Sequence, residues 1–103
     1  MGNPMKIRAI LKNGLTEVRV LVSHAMETGL RKGDDGAIVP AWFITELTAH
    51  YHDRLIFQAE FGTAVSKDPY LVFRFRGGDT GEKVVLRWRD SRGDTRSDEA
   101  AIS

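Results

Sequence analysis

Apolar and polar residues alternate with a period of two along most of this chain, and the alternation divides it into short runs of strand length. Ile7, Ala9 and Leu11 share one parity and Lys6, Arg8 and Lys12 the other, after which Asn13-Gly14 supplies a two-residue turn. The second run, about Thr16 to Ser23, sends Val18, Val20 and Val22 inward and Glu17, Arg19 and Leu21 outward. A third, Phe43 to Tyr51, places Phe43, Leu47, Ala49 and Tyr51 on one face and Ile44, Glu46, Thr48 and His50 on the other, ending at His52-Asp53. The fourth, Arg54 to Phe61, turns Leu55, Phe57, Ala59 and Phe61 inward, with Arg54, Gln58 and Glu60 outward. The fifth, Tyr70 to Arg76, buries Leu71, Phe73 and Phe75, and the sixth, Lys83 to Asp90, buries Val84, Leu86 and Trp88. Gly77 to Gly81 between them reads as the long turn of a hairpin, and Ser91-Arg92-Gly93-Asp94 leads into a short last strand, about Thr95 to Ala100.

No eleven-residue window carries a 3.6-residue repeat, and roughly seven strands spaced 8–12 residues apart predict an all-β, immunoglobulin-like antiparallel sandwich. An up-and-down barrel is the alternative. The length of 103 residues suits one core, so a single domain is expected over residues 5–103, with residues 1–4 as a tail. No apolar run approaches the roughly 20 residues that a bilayer crossing requires. MGNPMKIRAILK shows no charged lead and apolar core of a secretory signal, which by itself points to the cytoplasm. Fifteen basic residues against 14 acidic leave a net charge of +1, with no global reason to expect nucleic acid. The sequence has no cysteine, which removes disulfides, thiolate nucleophiles and cysteine-based metal sites together.

One stretch departs from the alternation, His24 to Ile44. Met26, Leu30, Ile38, Val39, Trp42 and Phe43 are too many large apolar groups for a mere connection. Either they cap an open end of the sandwich, or Met26, Leu30 and Trp42 form a patch for another protein with Arg31 and Lys32 as its polar rim. Elsewhere the chemistry is sparse. His50 and His52 share a strand face but lack a third ligand unless His24 crosses to them, so no metal or cofactor site is assigned. No catalytic constellation is legible, and Arg92-Gly93-Asp94 is what an ordinary hairpin turn demands. Arg74, Arg76, Lys83, Arg87 and Arg89 are expected to share the outward face of the fifth and sixth strands, and a solvated face is favoured for them over an anion or nucleic-acid surface or a docking patch for an acidic partner.

The run HAMETGLRK, residues 24–32, followed by Ile38-Val39-Pro40-Ala41-Trp42-Phe43-Ile44, resembles the SoxZ family of the bacterial Sox sulfur-oxidation system. Met5-Lys6-Ile7-Arg8-Ala9, the stretch Gly62 to Leu71 and Gly93-Asp94-Thr95 extend the likeness over essentially Met5 to Ile102. Ala25 stands where the family usually has Pro, and Trp42 where His is common. The resemblance implies a non-enzymatic sandwich that pairs with a SoxY subunit, whose cysteine carries the sulfur intermediates of thiosulfate oxidation and presents them to other Sox enzymes. It also implies a periplasmic pair exported on the partner's signal; the charge balance and the short apolar runs give no reason to expect a nucleic-acid or membrane partner. The expected interface is Met26, Leu30, Arg31, Lys32, Trp42 and Phe43, and the isolated chain is open to homodimer formation. A free-standing protein- or carbohydrate-binding module is the alternative function.

Overall fold

Each alternating run forms a strand because one of its faces can be buried while the other stays in water. The computed structural model describes residues 3–103 and holds seven strands: β1 (Lys6–Lys12), β2 (Leu15–Leu21), β3 (Ile44–Tyr51), β4 (Arg54–Glu60), β5 (Tyr70–Arg76), β6 (Lys83–Asp90) and β7 (Thr95–Ala101). They make two antiparallel sheets, β1-β2-β5 and β4-β3-β6-β7, packed as a sandwich. In the constant-type immunoglobulin arrangement the fourth strand lies beside the fifth; here it pairs with the third, so the sheet of the third, sixth and seventh strands is the four-stranded one. The tail expected over residues 1–4 falls partly outside the described residues. Asn3 and Pro4 precede β1 without regular structure, and Met5 is buried.

The turns follow from residues that tolerate positive φ. Asn13 and Gly14, at φ of 55° and 79°, close the β1–β2 hairpin, and His52 and Asp53, at 50° and 61°, close β3–β4. Between the sheets, Val18, Val20 and Phe73 meet Leu47, Leu86 and Trp88, and the Phe57 and Phe73 rings stack at 4.3 Å across the open β4/β5 side. On the opposite side Ile102 bridges in parallel to Ala9 and ties the C-terminal residues to β1. Burying each large side chain contributes about 1.5–3 kcal/mol, which is what holds two such small sheets together.

Three expectations are corrected. Ile44, expected outward, is fully buried, because the β3–β6 register shifts between Ile44 and Glu46 and one extra residue reverses the parity. A second shift, between Ala49 and His50, exposes Leu55 and packs Ile56 against the core, the reverse of the simple alternation. The hairpin expected between β5 and β6 does not form: β5 pairs with β2 and β6 with β3 and β7, so Gly77 to Gly81 crosses between sheets. Gly78 sits at φ +94°, where a Cβ would collide with the Thr16 hydroxyl, and buried Thr16 donates from that hydroxyl to the Gly77 carbonyl. The basic stripe is therefore split, with Arg74 and Arg76 on one sheet and Lys83, Arg87 and Arg89 on the other.

Candidate functional site

The stretch that broke the alternation is an arm. Glu27 and Trp42 exchange backbone hydrogen bonds of 2.6 and 2.9 Å at its root, and Lys32 bridges to Ile38 farther out, making a narrow two-stranded ribbon. Its tip is a tight turn in which Gly33 donates to the Ala37 carbonyl and the Asp35 carboxylate accepts from the Ala37 N–H. Gly29, at φ +86°, lets the chain pass close to Ala41. Arg31 makes a bidentate ion pair with Glu27 at 3.0–3.1 Å along the arm. Such an arm cannot bury itself: Leu30 is 83% exposed and Ile38 51%. The molecule is correspondingly long, 52 × 20 × 20 Å, with a radius of gyration of 15.3 Å where a compact chain of this length has about 13 Å.

The root of the arm is held by one carboxylate. Asp90, at the end of β6, is buried, and its Oδ2 accepts from Trp42 Nε1 at 2.7 Å and meets His24 Nε2 at 3.1 Å. Its Oδ1 accepts from the backbone N–H groups of Arg92 and Asp94 at 2.9 and 3.0 Å, which fixes the β6–β7 turn. Burial opposes ionisation of this carboxyl, but the donors from His24, Trp42, Arg92 and Asp94 outweigh it and hold its pKa below the ordinary carboxylate range. His24 accepts at Nδ1 from the Met26 N–H, so Nε2 carries the proton given to Asp90. The imidazole stands edge-on to Trp42 and Trp88, the Arg92 guanidinium lies 4.3 Å above the Trp42 ring, and the Met26 sulfur accepts from the Ile44 N–H. A recess of about 450 Å³ opens beside this cluster, lined by His24, Trp42, Lys67, Asp68, Trp88 and others.

The six residues expected to form an interface therefore divide. Met26 points into the core and is unavailable to a partner, Phe43 is partly buried against the core, and Trp42 is half-buried over Asp90. Leu30, Arg31 and Lys32 are exposed on the arm. The capping account thus holds for the root of the stretch, while its tip faces solvent. His50 and His52 lie at the far side of β3 beside Glu82, away from buried His24, and no group of three or more His, Cys, Asp or Glu among the described residues is placed to hold a metal ion. The residue that sequence reasoning passed over is Asp90. Its signal was present, since it continues the inward parity of Val84, Leu86 and Trp88, and an acid on a buried parity requires partners.

A family model described as "Sulphur oxidation protein SoxZ" matches residues 5–101. No curated protein matches the chain significantly. Among solved structures it is similar to a superoxide reductase (neelaredoxin) from Archaeoglobus fulgidus in the reduced form, with a TM-score of 0.58 and 19% identity over 97% of this chain and 86% of that one. At that identity the likeness shows the sandwich alone.

Proposed function

This chain belongs to the SoxZ family of sulphur oxidation proteins, and from that premise we propose that it is the non-catalytic half of a heterodimeric sulfur carrier. Its partner is a SoxY-like subunit whose cysteine holds the covalent intermediates of thiosulfate oxidation. This chain has no thiol of its own to load, and none that would undergo exchange with cargo held beside it. It contributes a rigid frame and a grip, and other Sox enzymes dock transiently on the loaded pair. The pair works in the periplasm, exported on the partner's signal; fractionation of cells producing both subunits tests this, and cytoplasmic retention of the assembled pair refutes it.

The observation that carries the reading is an arm with a fixed root and an unburied tip. Asp90, His24 and Trp42 immobilise the root, so the tip is presented with little ordering left to lose on binding. Leu30 and Ile38 supply apolar contact and Lys32 a polar rim. The test is co-purification of the cysteine-bearing subunit with a Leu30→Asp/Ile38→Asp variant. Both positions are surface positions, so the thermal midpoint should hold while recovery of the partner falls at least about tenfold. A variant at Met26 would not serve, because a charge there disrupts the core. Undiminished recovery with Leu30→Asp/Ile38→Asp places the interface elsewhere. The recess beside Trp42 and Trp88 favours a second reading, a free-standing binding module; a chain that stays monomeric beside the partner and binds a small glycan would support it.

A further inference from the structure

The two sheets differ sharply in what their outer faces carry. On β4-β3-β6-β7 the charges alternate in sign: Glu46 faces Arg89 across the ladder, and Lys83 reaches Glu99 at 3.3 Å. On β1-β2-β5 the outward parity collects Lys6, Arg8, Lys12, Arg19, Arg74 and Arg76. Glu17 is the one carboxylate of that parity, so six cations against one acid leave an excess of five in a chain whose net charge is +1. Glu17 is shared between Arg19 at 3.6 Å and Arg74 at 3.4 Å, and among the described residues no acid lies within ion-pair distance of Lys6, Arg8, Lys12 or Arg76. Arg8 and Arg19 stand directly opposite each other, an arrangement that costs a sheet stability. The same face exposes Leu15, Leu21, Tyr70 and Val72, four of the seven large apolar side chains left in water among the described residues. A shallow depression of about 210 Å³ lies between Lys6, Arg8, Arg19, Leu21 and Tyr70.

We propose that the outer face of the β1-β2-β5 sheet is a docking surface for an acidic protein, separate from the arm and engaged transiently. Cations concentrated on one face with a single acid among them attract an acidic partner and speed its arrival. Exposed leucine, valine and tyrosine between those cations provide the apolar contact of a protein interface. A second copy of this chain is the wrong occupant, because two such faces repel. Nucleic acid is a poor one, because its interfaces are more polar than this face and Tyr70 is the lone aromatic here for base stacking. Three strands about 4.8 Å apart and seven residues long present roughly 300 Å² in projection, which falls in the range of short-lived encounters. The proposal goes beyond the carrier reading and does not depend on which partner grips the arm.

The test is an NMR titration of the isotope-labelled full chain with a synthetic peptide in which Glu and Asp are interspersed with Leu and Tyr, run beside duplex DNA and phosphatidylserine vesicles. Peptide-induced shifts should map to 6–12, 15–21 and 70–76, with affinity falling about tenfold or more between roughly 50 and 300 mM salt. Arg8→Glu/Arg19→Glu should lose at least about tenfold in affinity with amide dispersion intact, and Leu21→Ser/Val72→Ser about threefold with the charge unchanged. Shifts that map instead to the arm, an unaffected charge-reversal variant, or tighter binding of the DNA or the vesicles than of the peptide would each overturn the proposal.

Discussion

Replacing Asp90 by Asn alters one atom and tests whether a single buried carboxylate holds the root of the arm. Its four hydrogen-bonding neighbours are the His24 Nε2, the Trp42 Nε1 and the N–H groups of Arg92 and Asp94, two at each oxygen. An amide can accept on one side only, so in either orientation its NH₂ meets two groups that are themselves donors. His24 cannot escape by moving its proton, because its Nδ1 already accepts from Met26. The less costly orientation keeps the oxygen on His24 and Trp42 and gives up the two turn contacts, where water can substitute. Two bonds then weaken from charge-assisted to neutral, at about 1 kcal/mol each, and two more are lost at about 1 kcal/mol each. Relief from burying a charge offsets part of this, leaving about 3 kcal/mol of destabilisation. Urea denaturation is the assay: with a slope near 2 kcal/mol per M the midpoint falls by about 1.5 M, and the thermal midpoint falls by about 12–24 °C. The pH dependence adds a second readout. The folded carboxyl titrates below its unfolded value of about 3.9, so its contribution is present above that pH and lost as pH falls through the folded pKa. The gap between the two proteins should therefore be full at pH 7 and narrow below about pH 4. An Asn variant within about 0.5 kcal/mol of the parent at pH 7 would refute the assignment of Asp90 as the hub.

Four further outcomes check other parts of the structure. Trp42→Phe keeps an aromatic ring but removes the indole N–H that donates to Asp90, so calorimetry should register a loss of about 1–2 kcal/mol. Gly78→Ala adds a Cβ against Thr16 at a positive φ and should cost about 2–4 kcal/mol, whereas Gly14→Ala, with open space around it, should cost about 1 kcal/mol; equal losses would discredit the crossing geometry. Ile44→Ala should cost about 2–5 kcal/mol and Leu55→Ala under about 1 kcal/mol, and the reverse order would refute both register shifts. Arg31→Gln, which breaks an ion pair with 61% of the Arg31 side chain in water, should leave the midpoint of chemical denaturation essentially unchanged.

The period-two alternation was enough to find seven strands, most of their inward residues and the turns at Asn13-Gly14 and Ser91 to Asp94, because both the pleat and the residues tolerant of positive φ are local properties. The lack of a thiol was likewise legible by inspection. Alternation says which side of a strand is buried and nothing about which strand lies next to it. The separation of β5 from β6, and with it the gathering of Arg74 and Arg76 beside Lys6, Arg8 and Arg19, was decided by how two apolar faces close on each other in space. Ile44 and Leu55 were misplaced for a related reason: one extra residue in a ladder reverses parity, and its presence depends on the neighbouring strand's register. The arm divided for the same cause. Its apolar content was plain along the chain, but only the meeting of His24, Trp42 and Asp90, drawn from positions up to 66 residues apart, determined which part of it is buried and which is left in solvent.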